Sequence, residues 1–565
     1  MNVASPVLVP RAAEVPVVVP PSAVLGLAAL FAAFCWLWFA SLGTRALITP
    51  DEGRYATLAL EMAHSGDWVT PRLNGLLYFE KPPLQYWIGA IAFQLFGVTE
   101  FAARVWPGLA GFLTLLLTGF TAGRLWGLGT GVRAFAIAGS TTWIAANSHF
   151  LSLDTGLLFF LTLVLCAVLL AQACTVGQRA QRRRWIWLAW AAMAGAVLSK
   201  GLVGIAIPAA VLGIVSLWRR DATLLRGMHW ASGLAILLAL TVPWFALVSA
   251  RNPAFAQFFF IHEHFARYTS DVHRRVGAWW YFMPILLVGM LPWTSALPWL
   301  VRDVQPVEHR RISQHDILVV WCAFVFLFFS ASGSKLPSYI LPMFPALALL
   351  VAVRLDTASP TALRRHLVVM LVVWGLLWGA STQLGRFTAT RTAVDLLAPM
   401  ALAVRIGAAL FVTGAVLALW CLGRRHTTAA VLSVAVGHFL AIGMVMQSHD
   451  SYGRQRNSAA LLAPVIQREA GADAPVFAIR SYDQTLPFYL RHPVVLVDYR
   501  DEFALGQSIE PERWLPTLDA FIARWQALPQ AAAYMSQATW SELQQRGVPM
   551  RIVFEDSRRV VVTRR

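Results

Sequence analysis

The charged side chains best suited to chemistry stand in one stretch, residues 47–86. Directly after an apolar span, this stretch carries Asp51, Glu52, Arg54, Glu61, Asp67, Glu80 and Lys81. Charge at a membrane boundary is costly to keep, so a cluster of this kind is by default a functional site. We therefore expect the reaction to take place here.

The lysines give the second signal. Among 46 basic residues, only Lys81, Lys200 and Lys335 are lysines. The lysine ammonium is a compact point charge that suits a phosphate oxygen, so three lysines around one cavity would bind a phosphate or a diphosphate. Single lysines also extend from helix ends into water without any function, and this alternative stays open for each of the three.

Membrane helices must position these residues. The chain of 565 residues is 58% hydrophobic, and its apolar residues fall in long blocks, more than one soluble core could bury. Residues 1–447 are predicted to form a polytopic α-helical membrane domain with about 13 transmembrane helices of ~20 residues each. The first of them, at about 23–43, shows no cleavage signal and is expected to be retained.

The arginines decide which side of the membrane each connector occupies. They cluster between apolar blocks, near residues 179–184, 219–226, 302–311, 354–365 and 424–425. The positive-inside rule assigns such connectors to the cytoplasm, so the net charge of +17 implies no nucleic-acid partner. Counting crossings from these connectors places Asp154 and the loop 47–99 on the outer face. The apolar piece 84–96 would extend only ~20 Å, so it is predicted to be re-entrant or interfacial.

The tail 448–565 is predicted to be a soluble α/β domain on the outer face, because it gains polar residues and alternating apolar segments. Strands are expected at 475–479, 493–497, 551–554 and 560–562, and a helix at 515–526. All five cysteines lie in apolar blocks without metal-type spacing. A disulfide framework is therefore not expected.

The acidic residues have a non-catalytic alternative. Asp51 and Glu52 begin a predicted helix at 52–62, and Asp154 opens a span. All three could therefore act as helix caps or compensate the helix dipole, a role worth ~1 kcal/mol.

The outer loop 251–278 offers a possible metal site. His262 and His264, together with Glu80, could bind a divalent metal such as Zn, although two histidines at i and i+2 lie on different sides of a helix. Otherwise this loop, with Arg267 and Tyr268, is a basic and aromatic surface that could meet anionic lipid headgroups.

Five separate motifs follow one another along the chain. They are Thr-Pro-Asp-Glu-Gly-Arg-Tyr-Ala at 49–56, Phe-Glu-Lys-Pro-Pro-Leu-Gln-Tyr-Trp at 79–87, Leu-Asp-Thr at 153–155, Ser-Lys-Gly at 199–201 and Ser-Lys-Leu-Pro-Ser-Tyr-Ile-Leu-Pro at 334–342. In this order they resemble the motifs of the aminoarabinose transferase family, bacterial relatives of the protein O-mannosyltransferases with the GT-C fold. The resemblance implies a Gram-negative inner-membrane glycosyltransferase with a periplasmic active site. It would move 4-amino-4-deoxy-L-arabinose from undecaprenyl phosphate to lipid A phosphates, which gives resistance to polymyxin and cationic antimicrobial peptides.

The resemblance also implies roles for residues. Asp51 and Asp154 match the two acidic catalytic positions, and Lys81 matches the ligand of the carrier phosphate. Gly156 departs from the more apolar residue of relatives, which bears on packing. The set expected to stabilise the leaving phosphate is Lys81, Arg54, Lys200, Lys335 and Tyr339. Acceptor binding is assigned to Arg267 and Tyr268. No cofactor is required, and a monomer is expected.

Two other functions stay open. The first is a transferase that uses the same type of carrier with another sugar, or with a protein or glycan acceptor. The second is a lipid or sugar transporter. A coupled transporter would usually need ionisable residues deep in its spans, and the sequence lacks these.

Overall fold

The protein is described by a computed structural model over residues 21–266, 277–302, 311–383, 394–556 and 558–564. Within these ranges nine helices are long and apolar enough to cross a membrane, and ten if the bent pair Phe282–Gly289 and Thr294–Leu300 counts as one span. The nine are Leu25–Gly43, Glu100–Trp126, Leu153–Ala173, Trp230–Arg251, Gln314–Ala331, Pro337–Arg354, Pro360–Thr382, Leu396–Gly423 and Thr427–Arg456. The chain is thus a multi-pass helical membrane protein, as its composition predicts.

Three further helical segments occupy the remaining predicted spans. They are Arg179–Lys200, Val203–Arg219 and a pair, Leu128–Ser140 and Thr142–Ser148, that breaks at Thr141. The break follows from the extended backbone of Thr141, which has ψ 119°. None of the three meets the length and hydropathy of a simple span within the described residues. The count of about thirteen therefore stays a prediction.

Ion pairs and hydrogen bonds tie the connectors together at one end of the bundle, which we call the arginine end. Arg133 pairs with Asp356, and Arg219 pairs with Asp316. Gln172 donates from Nε2 to the carbonyl of Ile312 at 2.6 Å. Arg219 and Asp356 belong to arginine-rich connectors, and Gln172, Ile312 and Asp316 lie beside such connectors. The arginine-rich segments therefore share one end of the bundle.

The opposite end, the domain end, joins the first span to the C-terminal domain. The backbone N–H of Ala46 donates to Asp450 at 2.7 Å, that of Leu47 to the Tyr489 hydroxyl at 2.8 Å, and that of Thr49 to the carbonyl of Asn457 at 2.7 Å. The loop that follows therefore lies on the C-terminal domain, away from the arginine end.

The loop 47–99 is ordered into short elements. It contains the helix Asp51–Ser65, a hairpin of β1 (Arg72–Leu73) and β2 (Leu76–Leu77), and the helix Leu84–Phe96. The last of these has the bounds of the predicted re-entrant or interfacial piece. The loop and the C-terminal domain share one hydrophobic core, in which the rings of Phe93 and Phe488 lie 5.9 Å apart.

The C-terminal domain follows the helix Thr427–Arg456, which extends beyond residue 447. Its five strands are β3 (Val476–Ile479), β4 (Val495–Val497), β5 (Ala532–Met535), β6 (Arg551–Glu555) and β7 (Val560–Thr563), with helices Leu462–Ala470, Leu486–Leu490, Ala504–Ile509, Leu518–Ala527 and Gln537–Gln545. In the sheet the strands are ordered β4-β3-β5-β7-β6. β3 pairs in parallel with β4 and β5, whereas β7 pairs antiparallel with β5 and β6. The α/β prediction is confirmed, but the central strand β5 was not predicted.

Candidate active site

Glu52 anchors the start of the loop helix. Its carboxylate and the Arg104 guanidinium are both fully buried and lie 2.6 Å apart. Arg104 also donates to the carbonyls of Leu42, Arg45 and Ala46, which closes the end of the first span. Burial raises the pKa of Glu52, but Arg104 outweighs it and holds the pKa below its ordinary value. Glu52 is therefore a structural charge.

Asp51, the adjacent residue, is in a different environment. Its side chain is 34% exposed and accepts from Nη1 of Arg54 at 2.8 Å. The helix Asp51–Ser65 begins without a side-chain cap hydrogen bond within the described part of the chain, so capping does not explain Asp51. An accessible carboxylate held by one arginine is available to a ligand.

Arg54 links Asp51 to the C-terminal domain. Its Nε pairs with Glu502, and the Glu502 carboxylate also accepts from Nε2 of Gln484 at 2.9 Å. Burial raises the pKa of Glu502, which the positive charge of Arg54 opposes. A charged Glu502 thus depends on Arg54.

Gln484 brings the domain against the loop helix from a second direction. It bonds the Thr49 hydroxyl through its side chain and the Thr57 hydroxyl through its carbonyl. A Cβ on Gly53 would overlap the backbone of Gln484, so glycine permits this close approach. The loop helix is therefore held between the bundle and the C-terminal domain.

A second charged cluster forms where three segments meet. Asp154 lies in the first turn of the helix Leu153–Ala173 and pairs with Lys200, while its other oxygen accepts from the Ser338 hydroxyl at 2.8 Å. The Lys200 ammonium lies 4.5 Å from the centre of the Tyr339 ring. Lys200 ends its helix because Gly201 follows with φ +95°, a conformation that favours glycine.

The N-terminal cap of the helix Leu153–Ala173 is Ser152, whose side chain accepts from the backbone N–H of Asp154. Asp154 is therefore not the cap, and its carboxylate serves Lys200 and Ser338 instead. The first charged cluster, around Asp51 and Arg54, and the second, around Asp154, lie at the same end of the bundle. They do so because Glu52, next to Asp51, accepts from the backbone N–H of Leu151 at 2.9 Å.

Lys335 is held by backbone. Its Nζ donates to the carbonyls of Ser330 and Ser332, each at 2.9 Å, and the side chain is buried. These contacts satisfy carbonyls at the end of the helix Gln314–Ala331, so the Lys335 ammonium stabilises a helix end. Lys335 stands four positions before Tyr339, so it lies at the same end of the bundle as Asp154.

Lys81 and Glu80 lie between the hairpin and the helix Leu84–Phe96. Both are half-buried, and Nζ of Lys81 donates to the carbonyl of Glu80 at 2.8 Å. Phe79, just before them, packs edge-on against Phe255 at 5.3 Å. Burial raises the pKa of Tyr78 well above its ordinary value, and the charge of Glu80 raises it further.

The predicted acceptor residues and two of the predicted metal ligands fall within positions 262–268. Arg267 and Tyr268, assigned to the acceptor, lie outside the described residues, and the side chains of His262 and His264 are not described either. Within the described part of the chain, no group of three His, Cys, Asp or Glu residues could hold a metal.

The C-terminal domain supplies the residues that sequence reasoning missed. Glu502 and Gln484 contact Arg54 and Thr49 from more than 400 positions away. No motif in the tail marks either residue, and the sequence of one chain carries no sign of such a pairing.

The comparisons with family models divide the chain in two. Residues 23–259 match the model described as dolichyl-phosphate-mannose-protein mannosyltransferase, and residues 462–564 match the aminoarabinose transferase C-terminal domain. The first match covers the loop helix with Asp51 and Arg54, and it also covers Asp154 and Lys200. The second covers Gln484 and Glu502.

The chain is also similar to curated relatives and to a solved structure. An undecaprenyl phosphate-alpha-4-amino-4-deoxy-L-arabinose arabinosyl transferase of Pseudomonas fluorescens is 33% identical over 62% of this chain and 63% of its own length. One of Pseudomonas aeruginosa is 36% identical over 59% and 61%. The alignments thus span about three fifths of these relatives. The crystal structure of ArnT from Cupriavidus metallidurans bound to undecaprenyl phosphate is 38% identical, with a TM-score of 0.90 over 95% of this chain and 98% of that one.

The long helices, the charged loop at one end and the α/β domain above it define a multi-pass membrane protein of the GT-C fold. The agreement with the solved ArnT over almost its whole length makes the assignment more specific. The chain belongs to the aminoarabinose transferase family.

Proposed function

We propose that this protein transfers 4-amino-4-deoxy-L-arabinose from undecaprenyl phosphate to phosphate groups of lipid A. The observation that carries the proposal is the pairing at the domain end: Asp51 with Arg54, and Asp154 with Lys200. The relatives' names give the donor, and the bound state of the solved ArnT gives the carrier. The domain end would face the periplasm of a Gram-negative inner membrane, because the arginine end follows the positive-inside rule.

The leaving group is the carrier phosphate, so the protein must stabilise negative charge that develops on its oxygen. Lys81 and Lys200 supply ammonium groups, and the Tyr339 ring beneath Lys200 fixes the position of that charge. Charges held in advance in a partly buried site stabilise a transition state at little cost of reorganisation. Arg54, already shared by two carboxylates, positions Asp51 and contributes positive charge to the same region.

The acceptor is a phosphate that is already ionised at neutral pH, so the reaction needs no strong general base. Asp51, assisted by Asp154, would orient the amino sugar and stabilise the positive charge that develops on it. Attack of the acceptor oxygen on the sugar carbon forms the new C–O bond as the bond to the carrier phosphate breaks. A single displacement of this kind inverts the configuration at that carbon.

Transfer by the purified protein tests the proposal. In detergent, with the lipid-linked aminoarabinose, lipid A and no membrane gradient, mass spectrometry should show lipid A gaining the sugar. Lys81→Ala, Asp51→Ala and Asp154→Ala should each abolish the gain in folded protein. No product from the wild type would refute the proposal, and a retained configuration would exclude single displacement. A transporter would give no product under these conditions.

Three details of the proposal remain separate predictions. Arg267 and Tyr268 would bind the acceptor, and the protein would act as a monomer. A divalent metal such as Zn at Glu80, His262 and His264 is not part of the transfer step proposed here. Metal analysis of the purified protein, with Glu80→Gln as the comparison, checks that site.

A further inference from the structure

An aromatic cluster lies directly beside the segment that carries Lys81. It consists of Phe79, Trp244, Phe255 and Phe259, and all four side chains are buried, with at most 4% of their surface exposed. The rings of Phe79 and Phe255 meet edge-on with their centres 5.3 Å apart. Phe255 in turn stacks on Phe259 at 5.3 Å and meets Trp244 edge-on at 5.5 Å. The Phe79 ring is therefore one member of a packed set of rings.

The cluster joins three parts of the chain that are distant in sequence. Phe79 belongs to the loop 47–99, Trp244 to the helix Trp230–Arg251, and Phe255 to the segment that follows this helix. Ring pairs at such distances, edge-on or stacked, stabilise a structure by ~0.5–1.5 kcal/mol beyond the area that they bury. The cluster therefore holds Phe79 against a helix of the membrane bundle.

Hydrogen bonds beside the cluster hold the loop on the same helix. Nε1 of Trp244 donates to the carbonyl of Val69 at 3.1 Å. Nδ2 of Asn252, just after the helix, donates to the Thr70 hydroxyl at 3.0 Å. Two adjacent loop residues are thus bound at the C-terminal part of the helix Trp230–Arg251, so the loop cannot shift along this helix without breaking both bonds.

The segment that carries Lys81 is fixed at both of its ends. The backbone N–H of Tyr78 donates to the carbonyl of Pro71 at 3.0 Å. Nε1 of Trp87 donates to the carbonyl of Trp68 at 2.7 Å. Two prolines directly follow Lys81 in the sequence, and proline restricts the backbone to one value of φ.

A short segment with two fixed ends and restricted dihedral angles has few ways to move. Phe79 stands two positions before Lys81, and its ring is the side chain of this segment that enters the aromatic cluster. The place of the Lys81 side chain therefore depends on how the Phe79 ring is packed. Phe255 packs on that ring from another part of the chain.

We propose that Phe79 and Phe255 are positioning residues for Lys81. The contact between their rings fixes the backbone of the segment and so holds the Lys81 ammonium where the carrier phosphate binds. This inference rests on the proposed function, in which Lys81 binds that phosphate. A ring that acts through Lys81 changes the recognition of the phosphate more than the recognition of the polyprenyl tail.

The ratio of two affinities tests the inference. Binding of undecaprenyl phosphate and of undecaprenol, the same tail without the phosphate, is measured by native mass spectrometry for the purified full chain. We expect the wild type to prefer the phosphate. Phe255→Leu should lower this preference about tenfold, because a hydrogen bond to a charged group is worth at least that much. Its binding of undecaprenol should stay close to that of the wild type.

A second variant tests the same contact more gently. Phe255→Met keeps a long side chain whose sulfur can contact the Phe79 ring. The preference for the phosphate should fall less in this variant than in Phe255→Leu. If the leucine variant does not fold, the methionine variant carries the comparison, with a fall in the same direction.

Two further comparisons separate positioning from a loss of stability. In a Lys81→Ala background the preference is already lost, so Phe255→Leu should lower it no further. Phe521→Leu is the matched control, because Phe521 is fully buried in the C-terminal domain, where its ring packs on Phe477 at 5.2 Å and on Trp525 at 5.5 Å. It should lower the melting temperature and leave the preference for the phosphate unchanged.

Outcomes confined to the variants would overturn this inference alone. A wild-type preference in folded Phe255→Leu or Phe255→Met would show that the ring does not position Lys81. Equal weakening of both ligands, or the same loss of preference in Phe521→Leu, would assign the ring a role in stability only. A further loss in the Lys81→Ala background would show that Phe255 acts through another group. A wild type that binds both ligands equally would refute the phosphate role of Lys81 in the proposed function, and with it this inference.

Discussion

Replacing Glu502 tests whether the C-terminal domain takes part in the proposed reaction. Glu502→Gln keeps the shape of the side chain and removes its charge. The side chains of Arg54 and Glu502 are 13% and 6% exposed, and breaking a buried pair outright costs ~3–5 kcal/mol. Arg54 keeps Asp51 as a partner at 2.8 Å. We therefore expect a smaller loss of folding free energy, about 1–2 kcal/mol.

The effect on activity should be larger. Without the charge of Glu502, Arg54 is no longer shared between two carboxylates and moves toward Asp51. A displacement of ~1 Å at a catalytic group can cost ~100-fold in rate, so we expect kcat to fall by about 10- to 100-fold. KM for the lipid donor should change less than kcat, because Lys81 and Lys200 still bind the carrier phosphate. Steady-state transfer in detergent, with kcat and KM measured separately, gives the answer.

Glu510→Gln is the matched control for this variant. Glu510 also belongs to the C-terminal domain and accepts from Arg72 at 2.8 Å and from the backbone N–H of Leu77 at 3.2 Å. It therefore joins the domain to the hairpin and not to Asp51. Its loss should lower the melting temperature and leave kcat unchanged. A wild-type kcat for Glu502→Gln, or an equal fall in kcat for Glu510→Gln, would refute the positioning role.

Three further variants test separate parts of the structure. Glu52→Gln should destabilise the protein by ~3–5 kcal/mol, because it leaves Arg104 buried without its partner; a melting temperature equal to that of the wild type would contradict this. Lys200→Met should lower kcat/KM by about 10-fold or more by removing the charge beside Asp154, and Lys200→Arg should restore part of it; equal rates for the two variants would count against a role for this charge. Burial raises the pKa of Glu61 from 4.5 to about 8. The contribution of its neutral carboxyl to stability is therefore complete below the pKa of the unfolded state and is lost as the pH rises through the pKa of the folded state. Glu61→Gln should therefore match the wild-type melting temperature in acid and exceed it in alkali, and a constant difference across pH would show that Glu61 does not titrate in this way.

The sequence predicted the parts of the fold that depend on composition and local pattern. The long apolar blocks became helices, the helix Leu84–Phe96 has the predicted bounds, and four of the five strands of the C-terminal domain were expected. The fifth, β5, reads Ala-Ala-Tyr-Met, and it has neither β-branched residues nor alternation. It lies between β3 and β7, so its position in the sheet and not its own propensity makes it a strand.

The site was predictable only as a set of residue types. The scarcity of lysine in the chain singled out Lys200, and the motif Leu-Asp-Thr at 153–155 singled out Asp154. The structure brings the two residues together. The same scarcity singled out Lys335, whose ammonium is bound by carbonyls at a helix end. Local sequence does not reveal whether a lysine at a helix end faces a carboxylate or the last carbonyls, because the partner lies on another segment.

The contrast between Asp51 and Glu52 shows how the fold assigns roles to adjacent carboxylates. Successive residues of a helix point about 100° apart, so one faces the buried Arg104 and the other faces Arg54. Glu52 accepts from Arg104, Ile48 and Leu151. These hydrogen bonds occupy the acceptor oxygens of its carboxylate and fix the loop on the bundle. Asp51 keeps an exposed face because Glu52 carries out the anchoring. A loop that must hold charge next to a membrane can therefore leave one carboxylate available for a substrate, provided that its neighbour is fully paired.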